Sequence, residues 1–506
     1  MLKQQQAIDN RNDLEQTFEK YISDTFTYIH ITKTFCDNKI KTWYLQRAEN
    51  LDTMKGIKDN ANKSSTKLIP GRRQKLEKDL GDVLKSTLDG LSDMLLFLEA
   101  VEKLSVTSAF VFTDACSLPI GVSAEHVHSV IFAARMAASL MVHFKRDDRT
   151  FFIPSLSNLE VQVCYLDKYM SLLQQICKGM EESMKSIPSG KRLRWPYNSQ
   201  AMRFSMYKDE HVQKMMRHCR QLDIIRNDPD FRLTFLFQGS AQLFISEFRQ
   251  SKGRMQDFLS DLEECARQLD NLKFRVNISS VAGSSLSIVG GILSIVGMAL
   301  IPVTAGVSSV LTVAGISCGV TSGVNSLVTG VAEMTVSKKH RDRSETTFQC
   351  FMKDVQTLVV CMEKVASSAC PANRSEQIRA LINNKGDNTV KIGQAGANLY
   401  RIGNRIENVL DSGGVAKGTS LMSKAARSGF IALNALFIGL DVLFICKDSI
   451  SLSKGSKNEM AQLIRSRAAL WRSELDSWEK IHDSLCRGLR EFSSSQEILE
   501  QPFYPK

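Results

Sequence analysis

The chain has 506 residues, 43% of them apolar and 24% charged, and carries a formal charge of +11. That length exceeds one ordinary core and implies two to four structural units, while the balance excludes both a disordered chain and one that crosses a membrane many times. The excess of Lys and Arg favours acidic partners, but no aromatic strand platform or Cys/His finger accompanies it, which excludes the common nucleic-acid modules and turns the charge toward anionic lipid headgroups.

The N-terminus, MLKQQQAIDNRNDLEQ, has no basic stretch followed by an apolar run, so no cleavable leader is expected. Twelve cysteines, among them Cys36, Cys116, Cys164, Cys219, Cys318, Cys370 and Cys446, form no CxxC pair and read as free thiols of a reducing compartment, with pairing of the even count in a secreted chain as the alternative. Proline is rare and apolar residues recur at three- and four-residue spacing, which predicts an all-α protein. Residues 1–190 form an N-terminal helical domain of unknown role. Within it, Leu76, Leu80, Val83, Leu84, Leu88, Leu91, Leu95 and Leu98 form an apolar stripe that predicts an amphipathic bundle helix. Val127 to Phe144 is strongly apolar, but Arg135 and the flanking His126, His128 and His143 shorten it as a membrane span, so it is expected to be a buried bundle helix rather than a metal site.

Residues 191–240 read as a basic linker and short helix, with breaks at Ser189 to Tyr197 and at Arg226 to Pro229. From Gly239 to Arg275 the pattern predicts an amphipathic helix with Leu243, Phe244, Phe248, Phe258, Leu259, Leu262 and Leu269 on its apolar side. It leads into a stretch, 276–332, without a single charged side chain. Pro302 lacks the N–H a helix ladder needs and Gly306 tolerates a left-handed backbone, so the stretch turns there and leaves two arms of about 20 to 25 residues, each able to cross a roughly 30 Å hydrocarbon layer. Gly315, Gly319 and Gly323 on one arm, and Gly283, Ser287 and Gly291 on the other, repeat at every fourth position, where small residues let two helices approach closely in lipid. Lys273 and Arg275 before the hairpin, and Lys338, Lys339, His340, Arg341 and Arg343 after it, are placed to touch headgroups and to keep both ends on the cytoplasmic side. The domain comprising this helix and hairpin runs over 241–345. A hairpin buried inside a soluble bundle is the competing reading, because Ser and Thr are frequent and Asn277 and Asn325 lie in the stretch.

Residues 346–455 form a further helical region with a second apolar segment, 428–446. Asp441 within it would shed its charge by protonation, which makes it a candidate pH sensor. In 456–506, Ile464, Trp471, Trp478 and Leu485 recur at seven-residue intervals as a heptad seam that docks within the chain or recruits a partner helix. There is no GxSxG elbow, Walker loop, HExxH or dinucleotide fingerprint, so neither an enzyme nor a cofactor is expected.

The run from Gly291 through Gly297 and Pro302 to Gly306 and Ser308, followed by Gly315, Gly319 and Gly323, resembles the apolipoprotein L family, as does the order Gly429, Asp441, Asp448, Gly455, Trp471, Leu485. The resemblance covers roughly 240–490. It implies a helical lipid-binding protein, colicin-like in architecture and related to bacterial pore-forming toxins, that associates with membranes and in some members permeabilises them or conducts ions. Some members are extracellular on lipoproteins and others intracellular; the N-terminus here points to the second type. A soluble lipid carrier and a helical interaction scaffold remain as alternatives.

Overall fold

The computed structural model describes residues 2–62, 70–113, 118–145, 156, 159–185, 187, 204, 206–276 and 457–505, together with 350–365 apart from 352, 356 and 363. Among these residues every regular element is helical. Helix α1 (Leu2–Thr34) continues through a π-helical segment, Phe35–Lys39, into α2 (Ile40–Asn62). A π turn holds one residue more than an α turn and so rotates the faces of the helix on its C-terminal side. Phe35 and Cys36 are buried at this point. Helix α3 (Pro70–Ser105) runs antiparallel to both: Phe35 stacks on Phe97 at 4.5 Å, Trp43 Nε1 donates to Gly90 O at 2.6 Å, and Arg47 donates to Ser86 O at 2.6 Å. Pro70 opens α3, where a missing N–H is harmless.

Of the apolar stripe on α3, Leu76, Leu80, Leu84, Leu91 and Leu98 are buried, but Leu95 is 47% exposed. The correction follows from helical geometry. A strict seven-residue repeat drifts around a 3.6-residue helix, and Met94, Phe97 and Val101 occupy the inner face instead.

The apolar run after residue 123 forms α4 (Ala124–Ala138) and a 3-10 extension, Ser139–Lys145. Ala124–Lys145 is, among the described residues, the one helical stretch long and apolar enough to cross a membrane, and it is built into the core. Its polar residues serve neighbouring chain ends. Ser123 and His126 form a reciprocal capping box, and His128 Nε2 lies 2.9 Å from Ala109 O and 2.7 Å from Phe112 O. Arg135 donates to Ser105 O and Thr107 O, both at 3.0 Å, which satisfies carbonyls at the end of α3.

Helix α5 (Leu159–Met184) packs on α2 and α4; α6 (Asp209–Asn227) packs on α1. The break at Arg226 to Pro229 is the corner between α6 and α7 (Pro229–Phe237), where Asp228 Oδ1 accepts from Asp230 N at 2.9 Å. Helices α6 and α7 thus occupy part of the segment that reads as a linker. Helix α8 spans Ala241–Val276 and α9 spans Lys457–Gly488; a last helix, α10 (Phe492–Glu500), returns to the N-terminal bundle. His218 Nε2 lies 2.9 Å from Ile498 O, Ser108 Oγ donates to Leu499 O at 2.8 Å, and Phe503 stacks on Phe18 at 5.3 Å.

Burial holds the imidazoles of His128 and His218 below their ordinary protonation range, against the opposing pull of their carbonyl partners. A depressed folded-state value means that the unfolded chain binds the proton more readily, so stability is present above pH ~6.5 and is lost as pH falls from there through the folded values. We expect a lower thermal midpoint at pH 5.5 than at pH 7.5, and His218→Asn should flatten that difference in differential scanning calorimetry.

A helical stalk as candidate functional site

Amphipathic periodicity makes α8 and α9 partners. On α8, Phe244, Phe248, Met255, Phe258, Leu259, Leu262 and Ala266 are buried, and on α9 Ala468, Leu475, Trp478, Ile481 and Leu485 are buried. Leu243, expected on the apolar side, is 39% exposed, a second correction with the same geometric cause: it lies one residue off the row carried by Phe244 and Phe248. Polar pairs set the direction. Arg249 Nε lies 3.3 Å from His482 Nε2, Lys252 pairs with Glu479 at 2.6 Å, and Glu263 pairs with Arg472 at 3.1 Å, so the two helices are antiparallel.

Residues 350–365 lie along the same seam. Phe351 meets Phe258 at 4.4 Å and Trp471 edge-on at 5.3 Å, while Arg254 donates two hydrogen bonds to Asp354, at 2.9 and 2.7 Å. Because Phe351 lies beside Phe258 and Asp354 beside Arg254, this segment also runs antiparallel to α8. Three segments of the chain thus form a stalk among the described residues.

Its base is clamped to α7. Asp230 accepts from Arg487 at 2.6 and 3.0 Å and from Ser484 Oγ at 2.6 Å. The Arg487 hydrogen bond holds the Asp230 carboxyl below its ordinary range, outweighing burial. Beneath the clamp, α9 comes so close that a Cβ at Gly488 would sit 2.2 Å from Thr234 Oγ1 and 2.3 Å from Asp230 O. We therefore expect Gly488→Ala to destabilise the protein by about 1–3 kcal/mol. Helix propensity alone would favour alanine by ~1 kcal/mol, so the sign of the shift in urea midpoint isolates the contact.

The other end of the stalk is where the unusual sequence begins. Val276 ends α8 13 residues beyond Glu263, and Lys457 opens α9 15 residues before Arg472. The segment 277–456 therefore leaves and returns at one end of the stalk, and α8 alone, at 36 residues, is about 54 Å long at 1.5 Å per residue.

The sequence-derived candidates divide accordingly. Gly283, Gly291, Gly297, Pro302, Gly306, Gly315, Gly319, Gly323, Asp441, Lys338, Lys339, Arg341 and Arg343 lie outside the described residues. Lys273 and Arg275 stand on the last turn of α8. On α9, Trp478 and Leu485 are buried and Trp471 packs against Phe351, while Ile464 lies on the first half of the helix. The Asp230 clamp was not legible beforehand, since its partners stand more than 250 residues apart and no local pattern links them.

Residues 236–480 match the family model described as Apolipoprotein L, which begins in α7 and ends in α9 and so takes in the stalk and everything between its strands of chain. Among curated proteins, human Apolipoprotein L3 is 36% identical over 90 residues, 18% of this chain and 22% of that protein. Human Apolipoprotein L5 is 30% identical over 122 residues, 24% of this chain and 28% of that protein. Apolipoprotein L domain-containing protein 1 of Rattus norvegicus is 30% identical over 112 residues, 22% of this chain and 46% of that protein. The chain thus spans between about a fifth and a half of the length of these relatives. No solved structure matches it significantly.

Proposed function

Since the chain belongs to the apolipoprotein L family through residues 236–480, we propose that it is a lipid-binding, membrane-associating protein whose stalk presents the apolar segment 276–332 to a bilayer. The observation that carries this reading is the antiparallel pairing of α8 with α9, which delivers Val276 and Lys457 to the same end. A hairpin that enters lipid from one side needs its two ends together, and a stalk that keeps them there lowers the conformational entropy the inserting segment must lose.

In this reading the two arms divide at Pro302 and Gly306 and pack through Gly283, Gly291, Gly315, Gly319 and Gly323. Lys273, Arg275, Lys338, Lys339, Arg341 and Arg343 meet anionic headgroups and hold both ends on the cytoplasmic face. Insertion is conditional, as in colicin-like toxins, and the inserted form permeabilises the membrane or conducts ions. Asp441 favours insertion at acid pH, where its carboxyl is neutral. The heptad seam of α9 holds the stalk together, and the protein binds rather than transforms its ligand.

The test is flotation with anionic and neutral liposomes at neutral and acid pH, with dye release measured in the same samples. We expect flotation with anionic liposomes and release at acid pH, and Asp441→Asn, whose side chain is neutral at every pH, should release dye at neutral pH as well and so lose the pH dependence. Absence of flotation under every condition would sink the proposal, and flotation without release would identify a lipid carrier instead.

A further inference from the structure

At the base of the stalk, four side chains that the membrane reading does not use come together. Cys486 and His482 stand one turn apart on α9, with Sγ 3.6 Å from Nε2. The other ring nitrogen, Nδ1, lies 2.9 Å from Asp483 Oδ1. From α8, Arg249 aims Nε–H at His482 Nε2 over 3.3 Å and a terminal N–H at Cys486 Sγ over 3.4 Å. The ring is further set by Phe248, whose centroid lies 5.2 Å away.

The contacts specify a tautomer. A carboxylate at Nδ1 requires the proton there, and an arginine donor facing Nε2 requires a lone pair there. Nε2 is therefore an acceptor within reach of the thiol, and Asp483 is placed to stabilise the imidazolium that forms when the thiol's proton arrives. The resulting thiolate would lie between the imidazolium and the guanidinium, and Arg249 has no carboxylate partner of its own among the described residues. Cys486 is partly exposed, whereas Cys36, Cys177, Cys219 and Cys361 are buried. A thiol with an adjacent base, a cation and access to solvent is the arrangement that makes cysteine nucleophilic.

We propose that Cys486 is a reactive-thiol site that takes small anionic disulfides by exchange. The Arg249 Nε–H releases the single lone pair of His482 Nε2 while its terminal N–H stays on Sγ, and the Sγ proton passes to Nε2; the thiolate attacks one sulfur of the disulfide; a Cys486–S–S bond forms as the original S–S bond breaks; and the departing thiolate takes the proton from His482. No external oxidant enters, because the incoming disulfide is itself the species reduced. The unpaired guanidinium selects for an anionic reagent.

The experiment uses the reduced full-length chain, iodoacetamide and, separately, glutathione disulfide, with each cysteine read by peptide mass spectrometry. Cys350 is exposed and has no imidazole beside it among the described residues, so it serves as the internal reference. We expect Cys486 to alkylate at least roughly tenfold faster than Cys350 at neutral pH and to carry the mixed disulfide first. His482→Gln should bring its rate down to that of Cys350, and Asp483→Asn should lower it several-fold. Protection of Cys219 reports that a variant is folded; where His482→Gln exposes Cys219, Asp483→Asn, which keeps the ring, decides. A Cys486 rate no higher than that of Cys350, or one indifferent to these substitutions in folded protein, overturns the proposal.

Discussion

Replacing Trp478 with alanine should lower stability by about 3–5 kcal/mol, the range for deleting a large buried aromatic side chain. Trp478 is fully buried on α9, one residue before Glu479, which pairs with Lys252 of α8. Protein interiors are close-packed and relax only partly around a void, so little of this loss is recovered by collapse. The loss should fall on the stalk. Hydrogen exchange of α8 and α9 should accelerate, while α2, α3 and α5 keep their protection until global unfolding. Trp478→Phe, which keeps an aromatic ring, should lose far less. A Trp478→Ala protein whose denaturant midpoint moves no more than that of a surface variant would show that α9 is not held by this seam. The same variant bears on the proposed function, because it loosens the pairing that brings Val276 and Lys457 to one end of the stalk.

A loss of similar size is expected for Arg226→Ala. The guanidinium is fully buried at the end of α6, and although its Nε has no hydrogen-bond partner, both terminal nitrogens are engaged: it lies 3.9 Å over the Tyr21 ring and donates to Tyr21 O at 3.1 Å, Thr25 Oγ1 at 2.9 Å, Asp223 Oδ1 at 3.1 Å and Asp24 Oδ2 at 3.4 Å. Arg232 completes the corner by donating to Arg226 O at 3.0 Å and to buried Glu102, which Lys145 also meets. Removing one partner of such a network costs about 3–5 kcal/mol, since the remaining groups stay buried without their match. Lysine should not rescue it, because a point charge cannot replace a planar fork lying on a ring. Chemical denaturation of Arg226→Ala and Arg226→Lys checks both statements.

The pH dependence supplies a second check. Burial pushes the Asp223 carboxyl up, but Lys20 and Arg226 together outweigh it and hold the group below its ordinary range. A depressed carboxyl contributes stability that is present above about pH 4 and is lost as pH falls through its folded value. The gap between wild type and Arg226→Ala should therefore narrow toward pH 3. A gap independent of pH would mean that packing on Tyr21 alone makes Arg226 matter.

Much of this was legible in the residues themselves. Three- and four-residue spacing identified the helices, the charge inside Val127 to Phe144 marked a core helix, and the seven-residue recurrence of Trp471, Trp478 and Leu485 marked a seam. The glycine, proline and basic pattern of 276–343 carried the family resemblance, since hydrocarbon thickness and close helix approach are constraints written locally. Leu95 and Leu243 show the limit of periodicity: which residues at the border of an apolar stripe face inward depends on the neighbour. So do the roles of His128 and Arg135, which meet backbone carbonyls at helix ends 16 to 30 residues away.

The sequence by itself determined which segments are helical, which are apolar or basic, and where a seam recurs. Only the tertiary structure decided that α8 and α9 run antiparallel, that α10 closes on the N-terminal bundle, that Arg226 is buried, and that Cys486 meets Arg249. The reason is one of range. Propensity and amphipathicity act over one or two turns, whereas these pairings join residues some 200 or more positions apart, which the chain can bring together only by folding.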